Sequence, residues 1–140
     1  METKTEALSA VAAFASRVRS IILNTQDGIK VAGLADKARD AALFLQGPSM
    51  DPDEYILRAL QTECAERSRG ETPTQLAHLI LAKSENFKQI RAKLDGLESR
   101  FETAVAMAPT DALAVQTYHG ARSLAVQELV KLGIPEGALT

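Results

Sequence analysis

Between Pro73 and Pro109 the chain contains no proline, and apolar side chains recur through that stretch at a seven-residue interval: Ile80, Phe87, Leu94, Phe101 and Ala108. Leu76, Ile90, Leu97 and Ala104 occupy the complementary positions, with Lys83 breaking the second row. Seven residues are close to two helical turns, so both rows fall along one edge of a single helix. The pattern predicts one helix of about 35 residues, about 50 Å long at the standard rise, with Gly96 as the place where it could bend. A stripe of that length exceeds what a short preceding helix can cover. The following helix is therefore expected to fold back beside it as an antiparallel hairpin, and any seam left uncovered needs another chain.

The remaining helices are marked by their punctuation. Thr3 and Glu6 have capping-box spacing, followed by Leu8, Val11, Ala12, Ala15, Val18 and Ile22 at helical intervals, which predicts a helix from about Thr5 to Asn24. Arg17 and Arg19 would complement the negative end of its dipole. Asn24 to Gly28 reads as a turn, and a second helix from about Ile29 to Gln46 directs Val31, Leu34, Ala38, Ala41 and Leu45 inward, with Gly33 a weak point. Gly47-Pro48 ends it with a left-handed cap and a stop, and Asp51-Pro52-Asp53-Glu54 restarts the chain with Asp51 as cap and Glu54 completing the box. The third helix reaches Arg67 or Ser68, burying Tyr55 or Ile56, Ala59, Leu60 and Cys64. Thr72, Pro73 and Gln75 repeat the same grammar at the start of the long fourth helix. The last helix spans about Asp111 to Leu132 and closes on Gly133-Ile134-Pro135.

These elements give an all-α fold of about five helices, a bundle with a long fourth helix and an antiparallel helical hairpin. With 140 residues, the expectation is one domain over 1–140, with sub-units at 1–47 (a helical hairpin) and 51–135 (three helices). Aromatics make up 4% of the chain and tryptophan is absent, so its core must be built from Ala, Leu, Ile and Val on closely packed helices.

Net charge is −2, which offers no global field for nucleic acid or an anionic membrane, and no apolar run is long enough to span a bilayer. One cysteine excludes an intrachain disulfide and any multi-cysteine metal site. The polar N-terminus lacks the pattern of a secretory leader, so the expected location is cytoplasmic. His78 and His119 carry neither Glu-x-x-His nor His-Glu-x-x-His spacing. Cys64 lies beside Glu63 and Glu66, which disfavour a thiolate. Asp51, Asp53 and Glu54 read as caps, Glu98 and Glu102 as a solvated face, and the dispersed glycines form no phosphate loop. No catalytic, cofactor or metal residues are expected, and the reading is a non-enzymatic protein.

At Ala65-Glu66-Arg67-Ser68-Arg69-Gly70, followed by Gln75-Leu76-Ala77, Ser84 and Phe87, the chain resembles helical segments of bacteriophage tail-fibre-associated proteins over residues 59–100. The family's tryptophan and Glu-Ala positions farther along have no counterpart here, where Lys88 to Ala92 stand instead. The resemblance implies a virion or tail-assembly component without enzymatic activity, located in the virion if phage-derived.

The expected mechanism is burial of helix surface against a protein partner or in a homo-oligomer, with Ile80, Phe87, Ile90, Leu94, Leu97 and Phe101 as the interface. The alternative is a small-molecule-binding helical bundle with a cavity near Tyr118, His119 and Cys64.

Overall fold

A computed structural model describes residues 1–23, 33–47 and 54–139. Every regular element among these is helical: α1 (Lys4–Leu23), α2 (Leu34–Gln46), α3 (Tyr55–Arg67), α4 (Pro73–Ala106), α5 (Asp111–Lys131) and the single turn α6 (Glu136–Leu139). The five expected helices are present, α4 runs through Gly96 without a break, and α6 is additional.

The chain divides into two compact units, one formed by Met1–Asn24 with Lys88–Thr140 and the other by Thr25–Phe87. Residues 73–87 of α4 belong to the second unit and residues 88–106 to the first. α1 and α2, grouped by the sequence as a hairpin over 1–47, thus lie in different units.

In the first unit, α1, the second part of α4 and α5 form a three-helix core of Ala7, Val11, Leu97, Phe101, Val105, Ala114, Ala121 and Ala125. The Lys4 amide donates to Asp111 Oδ1 at 3.0 Å and the Lys4 ammonium to the Ala106 carbonyl at 3.1 Å, which ties the start of α1 to the α4–α5 turn. Farther along, Arg19 pairs with Asp95 and Glu98. α1 therefore runs antiparallel to α4 and parallel to α5. α1 and α5 make the closest backbone approach of the unit because both bury alanine: Ala7 and Ala15 on one, Ala114, Ala121 and Ala125 on the other. α4 faces them with larger Leu and Phe side chains, and Lys93 bridges to Glu128 of α5 at 3.3 Å.

Local chemistry sets the helix ends. Thr72 and Gln75 form a reciprocal box, the Gln75 amide donating to Thr72 Oγ1 at 3.1 Å and the Thr72 amide to Gln75 Oε1 at 2.9 Å. Thr3 caps Glu6 in the same way, but the Glu6 carboxylate takes the Thr3 hydroxyl and the Glu2 amide in place of the Thr3 amide. Thr110 caps α5 through the Leu113 amide at 3.1 Å. α5 ends in a Schellman motif: Gly133 has φ +96°, its amide donates to the Val130 carbonyl, and the Ile134 amide reaches the Leu129 carbonyl. Ile134 and Leu129 are both buried, as that motif requires of its apolar pair.

In the second unit α2 begins at Leu34, and Gly33, at φ +75°, is its N-cap, where the sequence suggested a weak point inside a longer helix. Gly47 ends α2 at φ −157°, so the expected left-handed cap is absent there. Glu54 caps α3, its carboxylate accepting from the Ile56 amide at 3.4 Å. The expectations for Val31, Pro48 and Asp51-Pro52-Asp53 lie outside the described residues. The core gathers Leu34, Ala38, Ala41 and Phe44 from α2, Ile56, Leu57 and Leu60 from α3, and Leu76, Ala77 and Ile80 from α4. Cys64 packs half-buried at its edge, while Tyr55 and Ala59 face solvent.

Candidate functional site

The apolar edge of α4 is real, and it is covered. Ile80, Ile90, Leu94, Leu97 and Phe101 are buried and Phe87 is half-buried. Ile80 and Phe87 pack in the second unit's core, Leu97 and Phe101 in the first's. Five of the six residues expected to form an interface are thus buried within this chain, and Phe87 keeps part of its surface in solvent. Their burial stabilises each unit by roughly 1.5–3 kcal/mol per large side chain. Ala104, expected on the edge, is exposed, and Val105 takes its place. Seven residues of a straight helix fall about 20° short of two full turns, so toward the end of α4 the buried row steps by four, through Leu97, Phe101 and Val105.

The free volume beside Tyr118, enclosed by Phe14, Leu94, Leu97, Phe101 and Arg122, is about 10 Å³, the limit for a single water. Arg122 closes it, its guanidinium 5.7 Å from the Phe14 ring centroid. His119 points away from that core: it is exposed, its ring tilted against Tyr118 at 5.3 Å, and it lines an open cleft of about 470 Å³ with Arg122, Ser123, Gln127, Glu136 and Leu139. Gly120 is exposed with open space around it, so it brings no second helix close. Cys64 belongs to α3 of the second unit. Within the first unit Tyr118 thus borders an almost filled core and His119 a surface cleft, while Cys64 is a residue of the second unit.

The titratable groups are engaged in structure. Burial raises the Cys64 thiol pKa, and the Glu71 and Glu63 carboxylates push it further against the opposing effect of Arg67, so the thiol stays protonated. Arg67 Nε donates to Glu71 Oε1 at 2.7 Å and holds that carboxyl below the usual range. Lys93, then Lys131, do the same for Glu128. Lys37 and Glu63 join α2 to α3 at 2.6 Å. Among the described residues no group of three or more His, Cys, Asp or Glu is placed to hold a metal ion, and no described helix is long and apolar enough to cross a membrane.

The segment that carries the phage resemblance is helix punctuation in physical terms. Ser68 takes a left-handed conformation at φ +53°, its amide returning to the Cys64 carbonyl, Gly70 follows at φ +71°, and Arg67 clamps Glu71 across the turn.

The surface feature not legible as a stripe is a set of large apolar side chains left in solvent. Met107 is the most exposed of them at 77%, and Leu113 at 43% stands on the other side of the same α4–α5 turn. Leu43, Tyr55 and Leu79 are exposed on the second unit. They fall outside the heptad rows, and no periodicity marks them. Compared with protein-family models, curated proteins and solved structures, the chain matches none.

Proposed function

We propose that this is a non-enzymatic helical interaction or assembly protein that binds a protein partner or a second copy through its exterior, the α4 edge serving as internal scaffold. The observation that carries the reading is the exposed pair Met107 and Leu113 at the α4–α5 turn. A turn of this kind needs only polar residues and a cap, and Thr110 supplies the cap. Met107 gains little for the fold and Leu113 is only partly covered, whereas burying both against another surface would be favourable. A virion or tail-assembly setting, which the resemblance over 59–100 implies, and the cytoplasm where such parts are made, belong to the same proposal.

Sedimentation velocity across a range of concentrations, alone and with candidate partners encoded by neighbouring genes, tests it. Met107→Asp with Leu113→Asp should weaken the association at least tenfold while leaving the helical circular dichroism unchanged. Association of the double variant at wild-type strength would remove the turn from the reading. A small-molecule-binding bundle is the second reading, and the open cleft beside His119 is what favours it. Native mass spectrometry of the purified chain, looking for a stoichiometric bound compound, separates the two.

A further inference from the structure

The end of the first unit that holds the α4–α5 turn is chemically one-sided. The bonds from Lys4 to Asp111 and to the Ala106 carbonyl bring the start of α1 against that turn. Glu2 and Glu6 come with it, joined through the Glu2 amide and the Glu6 carboxylate. Asp111 opens α5, and Glu102 stands four residues before the end of α4, so four carboxylates share this end of the unit with the exposed Met107 and Leu113. The Thr3 hydroxyl and the Glu2 amide hold the Glu6 carboxyl below its usual range, so its charge persists at neutral pH. Even with the Met1 amino group, close to Glu6, counted as a cation, only two positive charges oppose the four. One of them, the Lys4 ammonium, is already turned onto a helix carbonyl. The next guanidinium back along α4 is that of Arg100, which lies over the Phe101 ring. Along α1 and α5 the next are Arg17 and Arg122, about three helical turns away.

We propose that the partner of this turn is a protein segment with an apolar face bordered by lysine or arginine, as a cationic amphipathic helix presents. The inference rests on the reading of Met107 and Leu113 as a contact surface and names the chemistry that this surface selects. The two side chains bury against the apolar face, and the unbranched thioether of Met107 adapts to its relief. The carboxylates around them meet the basic borders, which steers the encounter and fixes which partner is accepted. The same charges disfavour the alternatives. A second copy docked by its own α4–α5 turn would set carboxylates against carboxylates, and an anionic surface would meet the same repulsion.

Titration of the full chain, labelled with methyl-13C methionine, tests the proposal by following the Met107 methyl resonance, assigned through its loss in Met107→Gln. The probes are a synthetic leucine–lysine amphipathic helix and a leucine–glutamate counterpart with the same apolar face. The lysine peptide should shift the Met107 resonance, and the glutamate peptide should bind at least tenfold more weakly. Binding of the lysine peptide should weaken in 1 M salt, where the screening length falls to about 3 Å. Glu2→Gln with Glu102→Gln, whose carboxylates cap no helix, should weaken it several-fold with unchanged helical circular dichroism. Met107→Gln with Leu113→Gln removes the apolar surface at constant charge and should abolish it. No shift with the lysine peptide, equal binding of both peptides, or a Met107 resonance that moves with protein concentration alone would each overturn the basic partner. Equal binding that is lost in Met107→Gln with Leu113→Gln would overturn the charge selection and leave the turn as a contact surface. Lysine-peptide binding at full strength in that double variant would overturn both.

Discussion

Individual side chains divide between those that hold helix ends and those that hold helices together, and their charge states follow. Glu71 accepts from Arg67, so its folded pKa lies below the unfolded value. The stabilisation is therefore fully present above the ordinary carboxylate pKa of about 4 and is lost as pH falls through the lowered folded value. Urea unfolding of wild type and Glu71→Gln should differ at neutral pH, with wild type the more stable, and the difference should close in acid. A difference independent of pH would mean that the pair contributes through packing alone. The Cys64 thiol is pushed up first by burial, then by Glu71 and Glu63. Its alkylation by iodoacetamide at neutral pH should be several-fold slower than that of a free small thiol. Alkylation as fast as the free thiol would show an open, ionised sulfur.

Several helix ends were legible in the sequence where local chemistry decides them, though Gly33 and Gly47 were not. Thr72 with Gln75 and Gly133 are read correctly because a cap involves neighbours a few residues away, and the long α4 is read correctly because its stripe is built from large side chains. Three other features were not legible, for different reasons. α6 exists through Arg17 and Arg122, which lie far from it along the chain. The close α1–α5 pairing uses alanine on both sides, and alanine is equally common on exposed helix faces such as that of Ala12 and Ala13. Of the side chains assigned to an interface, Ile80, Ile90, Leu94, Leu97 and Phe101 are buried within this chain and Phe87 half-buried, because periodicity marks burial without saying whether the covering helix belongs to the same chain. The drift of the stripe gives a sharp check. Val105→Ala should cost roughly 2 kcal/mol through lost burial and a cavity, whereas Ala104→Ser should stay within about 0.5 kcal/mol. Equal costs in urea titrations would restore the strict heptad.

At the level of the whole molecule, α4 contributes to two cores that share no residue: Ile80 sits in one and Phe101 in the other. Losses in separate cores with no shared partners should add. Ile80→Ala and Phe101→Ala should each cost about 2–5 kcal/mol. Their combined effect should equal the sum to within about 0.5 kcal/mol. A larger discrepancy in denaturant titration would show energetic coupling through the common helix. Neither half of the α4 edge was expected to be divided in this way, because nothing in the seven-residue pattern changes at Phe87.

The parallel pairing of α1 with α5 also sets a timetable for biosynthesis. α1 ends at Leu23 and its neighbour is complete only at Lys131, so at ribosomal speeds of about 5–20 residues per second the first helix waits on the order of 5–20 s for its closest companion. During that interval Val11, Val18 and Ile22 have no mature shelter. During synthesis the apolar face of α1 therefore stays without its closest companion until the first unit can close.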